Sequence, residues 1–288
     1  GLAENGDCSK GYQEQDFVSA YAYLIGWRIV RYLPESLAQK IFALLGDYVY
    51  RKNGKGINRL RNNLKVVTGL EGEQLDSLTQ EAMRSYMRYW CDTFRLPDWS
   101  KERILGTVEL VNGEVLTGPL DAGRGVVVTL PHSGNWDHAA AYFLSRGYNA
   151  ITVAEKLKPE RLFQAFLKYR QDIGLEILST EMRTIPTLIA KAREGYIVPL
   201  VADRDLSSNG VEVNFFGATA KMPAGPALIA ERADVDLVGA FIVYTDNGIK
   251  IYFEKLEKSV QATADFFAKY LKQYPVDWHM LQRIWISG

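Results

Sequence analysis

Gly125-Val-Val-Val-Thr-Leu130 runs without a break into Pro131-His-Ser-Gly-Asn-Trp-Asp137 and then into an apolar stretch through Phe143 and Leu144. The first six residues are rich in β-branched side chains and carry no charge, the pattern of a strand buried on both faces. The polar insert stops that strand, and the apolar stretch after it reads as a helix. Sheets covered by helices gather their reactive groups at such strand ends. Ile197-Val-Pro-Leu-Val-Ala202 repeats the pattern and ends in Asp203-Arg-Asp205. Residues 236–244 and 248–256 read as a strand pair turned at Asp246-Asn-Gly248. Helices are expected over 159–173, 187–194, 225–233 and 262–274. The alternation implies an α/β fold, with a mixed central sheet flanked by helices.

Upstream the texture is helical. Apolar residues recur at helical spacing in two blocks on either side of Pro34, the second made of Leu37, Ile41, Leu44, Leu45 and Val49. Two N-terminal amphipathic helices follow from this. A further helix over 75–94 carries Met83, Tyr86, Met87, Trp90 and Phe94 along one side, a stripe that suits either a core or the wall of a groove for a hydrocarbon chain.

The 288 residues hold 34 Lys+Arg against 34 Asp+Glu, and 47% are hydrophobic. That balance argues against a disordered chain and against a nucleic-acid binder with a global basic excess. Two cysteines cannot make a disulfide framework, so a reducing, cytoplasmic compartment is the economical expectation. No stretch reaches the roughly 18–20 apolar residues of a spanning helix. Residues 1–15 read as a flexible lead in which acidic residues outnumber the single lysine, unlike a signal peptide. Neutrality is an average, however. Between Tyr48 and Leu70 stand Arg51, Lys52, Lys55, Arg59, Arg61 and Lys65 with no acidic residue. This run is either a solvated helix face or, beside amphipathic helices, a patch that sits on anionic lipid.

His132, His138 and His279 are the only histidines. His132 stands where the buried strand stops, five residues before Asp137. On a continuous helix these two would point about 140° apart, so they converge only if His132 precedes the helix and Asp137 lies in its first turn. Gly134 and Asn135 suit that turn. An imidazole held by a carboxylate is a general base poised near neutral pH.

The order of further motifs carries more information than any one of them. After Pro131–Asp137 come Lys158-Pro-Glu160, Tyr169-Arg170, Asp203-Arg-Asp205, Phe215-Phe-Gly217, Met222-Pro-Ala-Gly-Pro226 and Tyr274-Pro-Val-Asp-Trp-His-Met-Leu-Gln282. The set, over roughly residues 17–286, resembles the bacterial His-x4-Asp acyltransferases of the lipid A lauroyl/myristoyl acyltransferase superfamily, and within it the phosphatidylinositol mannoside acyltransferases. The resemblance implies a glycerolipid acyltransferase-like fold with residues 16–288 as one domain, helical over 16–96 and α/β over 97–288. It implies a peripheral enzyme of the cytoplasmic face of the plasma membrane. Such an enzyme moves a long, palmitoyl-like chain from acyl-CoA, its donor substrate, to a mannose hydroxyl of a phosphatidylinositol mannoside, with no cofactor or metal. By position His132 matches the general base and Asp137 the acidic member of the motif. Asp203 stands where mannoside enzymes carry a glutamate that pairs with the histidine. Glu155 and Arg170 match polar residues lining the family site. Read from the residues themselves, Arg170 and Arg204 either hold phosphate or a carboxylate network or make ordinary ion pairs with Glu155 and Asp205, and Asn209 is either a turn residue or a polar contact to the donor. Gly239 departs from a proline common in the family, a change expected to affect packing.

Other readings compete. Ser133 beside His132 suggests a serine hydrolase, but no Gly-x-Ser-x-Gly elbow exists. His132, Asp137 and His138 could ligate a metal, and Asp203-x-Asp205 could hold a divalent cation for a glycosyltransferase. A lipid A precursor is the alternative acceptor, and a non-catalytic lipid-binding module the alternative to an enzyme. Oxyanion donors are expected from backbone N–H groups after Gly134 or Gly225.

Overall fold

The computed structural model describes residues 26, 28–154, 160–179, 184–205, 207 and 209–286. Residues 28–32 are helical up to the break at Pro34, and the first half of the expected leading helix lies outside the described residues. Three helices follow, α1 (Glu35–Lys52), α2 (Lys55–Thr68) and α3 (Gly72–Arg95), and after them the short α4 (Lys101–Gly106). Pro34 suits the start of α1, since its missing N–H would find no intrahelical acceptor there. Ala38, Phe42 and Gly46 face inward. At Gly46 a Cβ would meet the α3 backbone at 3.2 Å, so the glycine sets how closely α1 and α3 pack. Asp47 then receives Arg84 at 2.7 and 2.8 Å and Gln80 at 2.8 Å. Further links tie the N-terminal part to the rest: Arg31 with Asp98, Arg103 with Glu35, and Arg95 capping the carbonyls of Val30 and Leu33. The opposite side of α1 is apolar and uncovered among the described residues: Leu37, Ile41, Leu44, Leu45 and Tyr48 are exposed, Leu44 at 64%.

The expected strands are present as β2 (Val126–Leu130), β5 (Ile197–Val201), β8 (Asp236–Tyr244) and β9 (Ile249–Leu256). With β1 (Val108–Val111) they form a sheet in the order β1-β9-β8-β2-β5. Only β8 and β9 are antiparallel, so the sheet is mixed as expected. Alternate residues of β2 serve opposite faces. Val126, Val128 and Leu130 pack with Phe143 and Phe253 beneath α5 (Glu114–Asp121) and α6 (Trp136–Ser145). Val127 packs with Leu188 and Ile229 beneath α8 (Thr184–Arg193) and α9 (Gly225–Ala233). Under α10 (Val260–Leu271), Gly239 leaves room for the Phe266 ring, which a Cβ there would meet at 2.7 Å.

A second parallel pair, β3 (Ile151–Ala154) and β4 (Glu176–Ser179), flanks α7 (Glu160–Asp172). It touches the main sheet through the bridge Ala150–Ile197, and Ile197 N–H donates to Asn149 O at 2.9 Å. Two residues on, the next donor towards β3 would come from Pro199, which has none. The hydroxyl of Thr152 donates to Pro199 O at 2.6 Å instead, and the ladder ends. The hairpin of β6 (Val211–Phe215) and β7 (Ala218–Met222) turns at Phe216-Gly217, both at positive φ.

Candidate active site

His132 sits in the loop between β2 and α6, and three strap contacts from residues 277–279 hold that loop. Gly134 N–H donates to Asp277 O at 3.0 Å, His279 N–H donates to His132 O at 2.8 Å, and Ser133 bridges Trp278. Gly134 makes the turn possible: its φ is +55°, and a Cβ would lie 2.7 Å from Ile242 O. Asn135 caps α6 by accepting His138 N–H at 2.9 Å. The strap is itself anchored, because the amide of buried Asn63 in α2 donates to Met280 O at 2.9 Å and Gln282 O at 2.8 Å.

Asp203, at the end of β5, reaches His132 directly. Its Oδ1 accepts Nδ1–H of His132 at 2.6 Å, and its Oδ2 accepts the His132 backbone N–H at 3.0 Å and Trp278 Nε1–H at 2.9 Å. A carboxylate on Nδ1 fixes the tautomer and leaves the lone pair on Nε2. Burial alone would raise the Asp203 carboxyl, but the charge and hydrogen bonds of His132 and the indole donor outweigh it and hold the group below the usual range. The shorter side chain is therefore long enough.

Asp137 does not serve the imidazole. Arg170 of α7 grips it, Nε to Oδ1 at 2.8 Å and Nη2 to Oδ2 at 3.3 Å, and Tyr89 of α3 donates to Oδ2 at 3.0 Å. Burial would lower the Arg170 guanidinium, yet Asp137 raises it further, so the guanidinium stays charged. Tyr89 stacks on Trp136 at 4.2 Å, and Trp136 meets the His132 ring edge-on at 5.6 Å. Asp137 thus supports the wall beside His132. Among the described residues the ion-pair partner of Arg170 is Asp137, and Glu155 lies outside the described residues.

Arg204 lines the edge of the cavity and pairs with neither Asp205 nor any other described carboxylate. Asn209 lies in an exposed turn and is not itself a lining residue, but its N–H donates at 3.1 Å to Oγ of Ser207, which does line the cavity. Asp203 and Asp205 do not converge on a cation: the first is turned inward to His132 and Trp278, while the second accepts Ser207 N–H at 2.7 Å. Among the described residues no group of three or more His, Cys, Asp or Glu could hold a metal. His138 is packed against Trp99, its Nε2 3.2 Å from Thr107 Oγ1, which removes it from the metal reading. Gly134 cannot offer its own N–H to an oxyanion, since Asp277 takes it.

From His132 a cavity of about 730 Å³ extends into the core between the sheet and α6. Its polar end is His132, Asp137 and Arg170; further in it is walled by Leu130, Phe143, Leu175 and Phe253. The space exists because Ala139, Ala140, Ala150 and Ala240 stand where larger side chains would fill it. Tyr86, Tyr89 and Trp90 of α3 form another wall, so the aromatic stripe serves core and cavity together. Sequence reasoning missed Tyr89 and gave no role to Trp278 or His279, although the motif Asp277-Trp-His was visible.

Over residues 9–287 the chain matches the family described as bacterial lipid A biosynthesis acyltransferase. A phosphatidylinositol mannoside acyltransferase of Mycolicibacterium smegmatis is 38% identical over 282 residues, covering 94% of this chain and 92% of the relative. Proteins of the same name from Mycobacterium tuberculosis strains CDC 1551 and H37Rv are 37% identical over 281 residues, covering 93% of this chain and 88% of each relative. With a buried acid holding a histidine at the head of an apolar cavity, and relatives alike over nearly their whole length, the chain belongs to the bacterial lipid A biosynthesis acyltransferase family.

Proposed function

We propose that this acyltransferase moves a long acyl chain from acyl-CoA to a mannose hydroxyl of a phosphatidylinositol mannoside, with His132 as general base. The observation that carries the reading is the placement of His132, held through Nδ1 by Asp203 at 2.6 Å, in a cavity whose inner part is walled by hydrocarbon side chains such as Leu130, Phe143, Leu175 and Phe253. The acyl chain occupies the apolar part and brings the thioester carbonyl to Nε2. That nitrogen takes the hydroxyl proton as the oxygen attacks the carbonyl carbon. Asp203 stabilises the imidazolium so formed. The tetrahedral intermediate expels the CoA thiolate, which recovers the proton from His132, so atoms and charge balance without an acyl-enzyme. The free N–H groups in the first turn of α6 are the oxyanion donors of this scheme.

The relatives named for phosphatidylinositol mannosides favour that acceptor over a lipid A precursor. The uncovered face of α1 favours a peripheral protein on the cytoplasmic leaflet, where acyl-CoA is supplied. Leu37, Ile41, Leu44, Leu45 and Tyr48 fall within an arc of about 100°, and Arg51, Lys52, Lys55 and Arg59 make no ion pair among the described residues. Of the six cations in the basic run, Arg61 and Lys65 are paired with Asp76 and Glu71.

The test is mass spectrometry of products from palmitoyl-CoA with mannosylated phosphatidylinositol, with lipid A precursor in a parallel reaction and EDTA in both. An acylated mannoside that disappears with His132→Ala is the expected result. Acylation of the lipid A precursor alone would redirect the acceptor, and absence of acylation with intact thioester would sink the proposal.

A further inference from the structure

Trp278 lies behind the dyad rather than in the cavity. It is fully buried, and its only polar atom, Nε1–H, is spent on Asp203 Oδ2 at 2.9 Å. An indole can only donate, so a buried tryptophan is aimed by the acceptor it finds, and the acceptor is held in return. Asp203 has two oxygens with separate duties. Oδ1 takes the imidazole Nδ1–H, while Oδ2 takes the His132 backbone N–H at 3.0 Å and the indole. A carboxylate anchored at Oδ2 from two directions cannot swing about its own bond, so Oδ1 stays on Nδ1.

The indole is held just as firmly. Its ring packs edge-on against Phe215 at 6.3 Å and Trp285 at 6.5 Å. Its backbone faces Ser133 across an antiparallel bridge, and its two neighbours, through Asp277 O and His279 N–H, hydrogen-bond the loop bearing His132. The bond is charge-assisted and lies in a site closed to water, where such bonds are strong.

We propose that Trp278 is a positioning residue of acyl transfer, fixing the aim of the Asp203 carboxylate and through it the orientation and proton affinity of the His132 imidazole. This rests on the reading of His132 as base. Without the indole donor the carboxylate is less stabilised as an anion, the dyad holds a proton more tightly, and a larger share of His132 is protonated at a given pH.

The experiment replaces residue 278 in the full chain by β-(3-benzothienyl)alanine, which keeps the shape of tryptophan but has sulfur in place of N–H, and in parallel makes Trp278→Phe. The expected kcat is lower by about tenfold or more, the loss of one hydrogen bond to a charged group, with KM for both substrates little changed. The acid limb of the kcat/KM profile moves to higher pH by on the order of half a unit or more. Phe215→Leu, which loosens the packing but keeps the donor, lowers thermal stability and leaves that limb in place. A slower benzothienyl variant whose limb has not moved, or one as fast as the parent, overturns the inference. His132→Ala run alongside separates the two readings. If it is inactive while the limb of the 278 variant stays put, only the role of Trp278 falls; if it is fully active, the base and the positioning role fall together.

Discussion

Arg170 grips Asp137 with a two-point fork, so the carboxylate five residues after His132 is committed to a guanidinium rather than to the imidazole. Both ends of the pair lie in the protein interior, where an ion left without its partner is costly. Arg170→Ala is therefore expected to destabilise the fold by about 3–5 kcal/mol, measured by denaturant unfolding. The double variant Asp137→Asn/Arg170→Gln should recover much of that loss. Equal instability of single and double variants would show that the pairing itself is not what the helices depend on.

Asp203 is engaged in a different way, through tautomer and charge. Asp203→Asn keeps the size but offers Nδ1 the wrong partner, so kcat should fall by about 10³–10⁴-fold, as for the aspartate of a hydrolase triad. Calorimetry checks that the variant is folded, and a variant within tenfold of the parent would exclude Asp203 from the chemistry.

His138 and His279 are buried and neutral: desolvation pushes the first down to about 4 and the second down to about 3. In the unfolded chain each takes a proton near the ordinary value of roughly 6.5. Below that pH the unfolded state binds protons that the folded state refuses, so this contribution to stability is lost as pH falls. Asp92, which burial pushes up to about 6, and Asp277, also raised by burial, act in the opposite sense. Comparing the parent with His138→Gln cancels both. The stability gap between the two should narrow by up to ~1.4 kcal/mol per pH unit below about pH 6, read from urea midpoints; a constant gap would mean that His138 is charged in the fold.

Gly134→Ala places a Cβ where the left-handed φ costs roughly 1–2 kcal/mol and where Ile242 O stands 2.7 Å away. The loop must shift, carrying His132 with it. Both unfolding midpoint and turnover should drop, and retention of full turnover would show that the loop tolerates other conformations.

Leu44→Glu with Tyr48→Glu puts two charges on the uncovered side of α1. Co-sedimentation with anionic vesicles should weaken by about tenfold or more, the transfer energy of two apolar side chains, while the unfolding midpoint barely moves because neither side chain is part of the core. Unchanged sedimentation would remove α1 from the membrane reading.

How much of this was readable beforehand differs from element to element. β2, β5 and the β8–β9 hairpin were legible because an uncharged β-branched run, or an Asn-Gly turn, has few other solutions. β6 and β7 were not, because their turn is Phe216-Gly217 with phenylalanine at φ +56°, a conformation that turn chemistry normally reserves for Gly, Asn or Asp. Short β1, β3 and β4 alternate too briefly to show a period. His132 was legible from its place at a strand end. Spacing alone pointed to Asp137, five residues on, and only the resemblance pointed to Asp203, which is 71 residues away. The cavity was invisible because Ala139, Ala150 and Ala240 look like ordinary core residues until the space they leave is seen.

The strap of residues 277–282 also orders events in time. Trp278 is made 75 residues after Asp203, an interval of roughly 4–15 s at translation rates of about 5–20 residues per second. From its start the nascent chain holds α1, α2 and β1 to β5, and β6 to β9 are added within it, yet the loop bearing His132 has neither Gly134 N–H nor His132 O engaged. The polypeptide thus has time to settle its early helices before the dyad is assembled, and a ribosome-bound chain stalled before Pro275 would be an acyltransferase in outline only.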